Sequence, residues 1–182
     1  MSVLIGIDYS MTSPGVTVFS GDMANPMIAD FTFHFITSKK KLIGKFLKGK
    51  IVGHEYPEWK TPEERFDLLS EWAVSVIPGA ADKVILEGYA FGAKGSALFQ
   101  IGENTGVLKN KLYHESIKIK TVAPTSVKKH ATGSGRASKD DMYDAFYEST
   151  GINLCSVLDV TKKDSNPVSD IVDSYFICLS AF

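Results

Sequence analysis

The chain has 182 residues, 44% apolar and 23% charged, with 20 Lys and Arg against 21 Asp and Glu. That length fits one domain spanning 1–182 with a sizeable core, and the balance is ordinary for a globular protein. No apolar run is long enough to span a bilayer, and a formal net charge of −1 argues against a generic nucleic-acid coat.

Taken in chain order, residues 3–8 read as a buried strand, 15–20 as a second and 28–36 as a third, with turns at 9–14 and 21–26. Short connections make these an antiparallel meander. Residues 38–60 are basic and aperiodic and read as an exposed irregular loop. Thr61-Pro62-Glu63-Glu64 has the form of a capping box with Pro at the first helical position. The helix behind it carries Phe66, Leu69, Trp72, Ala73 and Val76 on one stripe and stops near Pro78-Gly79. Residues 83–87 form the next strand, followed by a turn over 88–95 that contains Tyr89 and Phe91.

A helix capped by Ser96 runs to about His114 through Leu98, Ile101, Val107, Leu108 and Leu112. Its Gly102 and Gly106 share a face that admits a close neighbour. Residues 118–122 make a strand, Pro124 opens a short helix, and 132–137 is a loop with Gly133 and Gly135. Ser138 caps a helix that ends at Gly151. Asn166-Pro167 begins the last helix, with Val168, Ile171, Val172, Tyr175 and Leu179 turned inward. Three antiparallel strands followed by alternating units predict an α/β fold, a mixed five-stranded sheet with helices on both faces.

Four acids stand out against that frame. Asp8 and Glu87 each end an apolar strand, where a lone carboxylate is unfavourable unless something neutralises it. Asp170 and Asp173 are three apart on a helix, so they project to nearly the same side and repel. If these positions converge, mutual repulsion raises their pKa values, and a hard divalent cation relieves it. Magnesium, with manganese as a substitute, is the expected cofactor. Two ions per site would suit phosphoryl transfer. Cys155 and Cys178 show no metal-type spacing, and the N-terminus has neither a secretory nor a transit pattern. A cytoplasmic setting follows as the expectation.

Charge is unevenly spread. From Lys94 to Lys139 there are nine basic residues against only Glu103 and Glu115, whereas from Asp140 onward eight acids face Lys162 and Lys163. A second basic cluster comprises Lys39, Lys40, Lys41, Lys45, Lys48 and Lys50. A neutral total therefore conceals basic surfaces.

This ordered set resembles the RuvC-type Holliday junction resolvases of the ribonuclease H-like superfamily, especially divergent phage-type members. The likeness rests on Gly6-Ile7-Asp8-Tyr9-Ser10 followed by Gly15-Val16-Thr17-Val18, on Leu86-Glu87, on the small-residue helix from Ala97 to Gly106, and on Asp170 with Asp173. Lys128, Gly133-Ser134-Gly135 and Lys139 match the family's lysine pattern. The resemblance implies that Asp8, Glu87, Asp170 and Asp173 bind the metals and that Lys128 and Lys139 meet the scissile phosphate or its neighbours. Lys94, Lys129 and Arg136 would add DNA contacts, and Tyr89 or Phe91 would wedge into the junction centre. It also implies homodimerisation and hydrolysis leaving a 5′-phosphate and a 3′-hydroxyl. The substrate would be four-way and other branched DNA.

Three rivals share parts of this pattern. A nuclease acting on RNA–DNA hybrids would use the same acids. A sugar-kinase or actin-like ATPase half begins with a similar Gly-Ile-Asp, but wants a second phosphate loop and a longer chain. A silent DNA-binding module would have lost an acid, and all four positions here are filled.

Overall fold

The fold is described from a computed structural model covering residues 1–88 and 96–182. β1 (Ser2–Asp8), β2 (Gly15–Gly21) and β3 (Phe31–Thr37) form the expected antiparallel meander. The stretch read as an irregular loop instead supplies two further strands, β4 (Gly44–Phe46) and β5 (Ile51–Glu55). With β6 (Lys83–Glu87) and β7 (Ile119–Val122), these make a seven-stranded sheet in the order β4-β5-β3-β2-β1-β6-β7. The expectation of five strands is corrected accordingly.

The physical reason for that miss lies in the residues. β4 is only three residues long, and β5 is broken by Gly53, a residue depleted in strands. Gly53 is there for clearance: a Cβ on it would sit 1.8 Å from the Leu42 carbonyl oxygen. Lys45 on the outermost strand hinders edge-to-edge pairing with another sheet.

Helices cover both faces. One layer holds α1 (Pro62–Ser75) and α2 (Ser96–His114), packing Ala73, Leu108 and Leu112 on Ile5, Ile7, Val84 and Leu86. The other holds α3 (Pro124–Thr132), α4 (Lys139–Thr150), the short α5 (Leu154–Val157) and α6 (Val168–Leu179). Its core is aromatic: Tyr175 meets Phe31, Phe33 and Phe146 at ring-centroid distances of 5.2, 6.1 and 5.1 Å.

Local signals hold with small amendments. Thr61 Oγ1 accepts from the Glu64 N–H at 3.3 Å, but the Glu64 carboxylate returns to the Lys60 N–H rather than to Thr61. Ser138 and Asp141 form a full reciprocal box at the start of α4. Leu98, one of the apolar residues along α2, is 37% exposed and its neighbour Phe99 is 72% exposed. Among the described residues no helix is long and apolar enough to cross a membrane.

Candidate metal centre

Strand register brings the first two acids together. β1 and β6 run parallel with Ile7 beside Leu86, so the next residues, Asp8 and Glu87, end neighbouring strands at one edge of the sheet. Neighbouring strands lie about 4.8 Å apart. Alternation puts both acids on the α6 face, because Ile7 and Leu86 belong to the opposite core.

The helix is brought to the same place by two glycines. A Cβ on Gly6 would lie 2.2 Å from the Ser174 carbonyl oxygen, and one on Gly15 would lie 2.5 Å from that of Asp170. Their bare backbones let α6 lie directly on β1 and β2. Thr17 and Ser174 hydroxyls meet at 2.8 Å beneath it. Gly15 is the register partner of Asp8, so Asp170 stands over the end of β1. Asp173 follows one turn later.

The electrostatics record this crowding. Burial pushes the Asp8 carboxyl well above the usual range, and the charges of Asp173, Asp170 and Glu87 push it further. Burial and then Asp173 raise Glu87 to about 7. Burial raises Asp170 to about 7, with Asp173 adding to the rise while the Ser13 hydrogen bond opposes it. Asp173 is also raised, chiefly by burial. Lys139 opposes the rise at Asp8, Asp170 and Asp173, and Lys128 opposes it at Glu87 and Asp173. The four acids are thus linked through the fields of Asp8 and Asp173, with Lys139 reaching the Asp8–Asp170 side and Lys128 the Glu87 side.

Among the described residues, no three acid, His or Cys side chains are closed into a preformed cage for an ion. The donor set nevertheless fits a hard cation. It is all carboxylate oxygen, it is partly or wholly buried, and its members destabilise one another when ionised. Magnesium keeps several waters and needs only one or two carboxylates besides its substrate, so an open cluster suits it better than a closed cage would.

The basic residues divide by role. Lys128 Nζ donates to the Ala137 carbonyl at 2.7 Å and so ties α3 to the turn that precedes α4. Lys139 is the first residue of α4 and is exposed. Lys129 and Arg136 are exposed, with no side-chain hydrogen bond or ion pair among the described residues. Tyr89, Phe91 and Lys94 lie outside the described residues.

Several contributors escaped the sequence reading. Ser13 Oγ donates to Asp170 Oδ2 at 2.6 Å and fixes that carboxylate. The loop carrying Ser13 is itself clamped. The Met11 carbonyl accepts from Tyr56 Oη at 2.5 Å and from Arg65 Nη2 at 2.7 Å, while Arg65 Nε donates to Tyr56 Oη at 2.8 Å. Nothing local marks Arg65, which is 54 residues from Met11. Beside Asp8 and Glu87 opens a cavity of about 290 Å³ walled by Ser10, Thr12, Ile101 and Thr105. A larger one, about 610 Å³, lies at the far edge of the sheet between Ile28, Leu47 and Ile152 and has no carboxylate on its walls.

No protein-family model and no curated protein sequence matches the chain. Solved structures do match it. Thermus thermophilus RuvC aligns with 98% of this chain and 95% of its own, at 15% identity and a TM-score of 0.62. The same protein in complex with a Holliday junction substrate aligns with 99% and 92%, at 17% identity and 0.64. Fowlpox virus resolvase, also in complex with Holliday junction DNA, aligns with 98% and 95%, at 16% identity and 0.55. The fold of this chain is the RuvC-like, ribonuclease H-type fold, here with a mixed seven-stranded sheet.

Proposed function

We propose that the protein is a metal-dependent, structure-selective DNA endonuclease that cuts four-way junctions. The observation that carries this reading is the convergence of Asp8, Glu87, Asp170 and Asp173 on one face at one sheet edge, opposite Lys128 and Lys139. The likeness in fold to two proteins solved with Holliday junction DNA supports the choice of substrate.

Two magnesium ions, when bound, would supply the positive charge that activates the attacking water and steadies the leaving oxygen. Asp8, Glu87, Asp170 and Asp173 would hold them. Ser13 keeps the Asp170 carboxylate oriented toward the cluster. Lys139 would meet the scissile phosphate, while Lys128 braces the turn that presents it. Lys129 and Arg136 would bind phosphates on the flanking strand, giving affinity rather than sequence reading.

A four-way junction has two equivalent strands to cut, which suits a two-fold dimer. α2 offers the surface for it. Phe99 and Tyr113 are 72% and 74% exposed, and an added Cβ on Gly102 or Gly106 between them meets nothing within 4 Å among the described residues. A second copy would bury this stripe.

The test is incubation with an end-labelled four-way junction, a linear duplex and an RNA–DNA hybrid, each with and without magnesium. Magnesium-dependent cutting confined to the junction is the expected result. Preferential cutting of the hybrid would make the protein a ribonuclease H-type enzyme, and inertness on all three would remove the nuclease reading.

A further inference from the structure

We infer that the turn at residues 39–42 is a second phosphate-binding flank of the same site, gripping a DNA arm on the side away from Lys128. This rests on the nuclease reading above and adds to it a second DNA-contacting surface. The turn joins β3 to β4.

Its position follows from register. Asp8 pairs with Gly15, Gly15 with Phe35, Phe35 with Gly53, and Gly53 with Gly44, so these five residues form one row across the sheet. β3 leaves the sheet at the same edge as Asp8, and β4 returns from that edge. Residues 39–42 therefore lie just beyond the row, level with the acids. They also lie on the acids' face. Leu42 is fully buried in the core that contains α6, and Lys39 Nζ donates to the Asn166 carbonyl, just ahead of α6, at 3.3 Å.

The turn is held firmly. Leu42 anchors it, Gly53 gives its carbonyl room, and Lys41 Nζ donates to the Asp159 carbonyl at 2.8 Å. What it presents outward is charge. Lys39, Lys40 and Lys41 are all exposed, and Lys40 has no hydrogen bond or ion pair among the described residues. Lys41 also faces the Asp159 carboxylate at 3.4 Å, but with side chains 60% and 99% exposed that pair is weak and can yield to a phosphate.

The spacing suits DNA. Two to three strand spacings separate Asp8 from β3 and β5, roughly 10–15 Å. Along a duplex axis at about 3.4 Å per base pair, that is about three to four base pairs from the cut. The acidic centre is thus bracketed, by Lys128 on the Glu87 side and by Lys39–Lys41 beyond β3, as a duplex arm crossing the sheet edge requires.

The test is binding of a labelled four-way junction, in calcium to hold back cutting, over 50 to 200 mM salt. The variants are Lys40→Ala and, as a control, Lys118→Ala, an exposed lysine that opens the strand path at the opposite sheet edge. Lys40 holds nothing in place, so its loss spares the fold. Lys40→Ala should lower the salt slope by about 1, so that the affinity ratio to wild type shrinks about three- to fourfold over that range. Lys118→Ala should leave the slope unchanged. Cutting of the saturated junction in magnesium should be equal in Lys118→Ala and wild type. Equal slopes for Lys40→Ala and wild type, with wild type binding and cutting normally, would overturn the flank alone. Equal losses in Lys40→Ala and Lys118→Ala would also overturn it, by showing a diffuse charge effect. A wild type that binds no junction would overturn both readings together.

Discussion

Two clusters of buried ionisable groups sit on opposite faces of the same sheet, and they resolve the same physical problem differently. On the α1 face, His34 Nδ1 and His54 Nε2 meet at 3.2 Å. Burial pushes His34 down to about 4 and His54 down as well, so both rings are neutral at pH 7 and share one hydrogen bond. On the α6 face, four carboxyls are pushed up together, and Ser13 supplies a hydroxyl to only one of them. The first cluster is complete within the protein. In the second, Lys128 and Lys139 offset only part of the rise, which leaves a place for positive charge from outside. A cation site would differ from a structural pair in this respect, and the contrast can be probed directly.

The largest expected effect comes from changing the acids. Asp8→Asn or Asp173→Asn should reduce junction cutting at least about a thousandfold, some 4 kcal/mol of barrier, while junction binding stays within a few-fold. Gel-based cleavage and filter binding would check both halves. Normal cutting by either variant would make the acidic cluster no more catalytic than the histidine pair.

The next effect is in pH. A carboxyl whose folded pKa is raised adds stability below its unfolded pKa and loses it as pH rises through the folded value. For Asp170 and Glu87 that window runs from about 4 to about 7. Metal-free protein should therefore gain stability from Asp170→Asn at pH 8 and not at pH 4, by on the order of 5 °C in melting temperature. Millimolar magnesium should raise the wild-type value at pH 8 and leave it nearly unchanged at pH 5. The histidines have the opposite sign. Their stability is full above about 6.5 and is lost as pH falls toward 4, so His34→Gln should flatten the acid side of the profile.

Smaller effects sharpen the assignment of supporting residues. Arg65→Met removes a clamp on the Met11 carbonyl, so the loop that carries Ser13 should loosen. Cutting should fall about tenfold with junction binding unchanged, because a small misplacement at the reacting centre suffices. At neutral pH, His34→Gln should leave cutting unchanged and alter stability by about 1 kcal/mol or less, since glutamine can still pair with His54. A cleavage defect there would mean the two faces are coupled.

Much of this was legible in the sequence because it was written locally. Apolar runs ending in Asp8 and Glu87, the Thr61 and Ser138 caps, and the three-residue spacing of Asp170 and Asp173 each report on a few consecutive residues. The convergence of those acids was a spatial inference that strand register and two clearance glycines account for. What stayed hidden was non-local. β5 exists because it pairs with β3, and its own residues alternate poorly around Gly53. Ser13 matters only because Asp170, 157 residues away, lies beside it. Leu98 follows a helical apolar pattern yet stands at the surface, because α2 turns that part of its length outward.

The most direct test is calorimetric titration of manganese into the metal-free protein at pH 8, with Asp8→Asn alongside. Saturable uptake of two ions per chain by the wild type, with at least one lost in the variant, is the predicted result. Equal uptake by both proteins, or none by the wild type, would contradict a cation site at the junction of β1, β6 and α6.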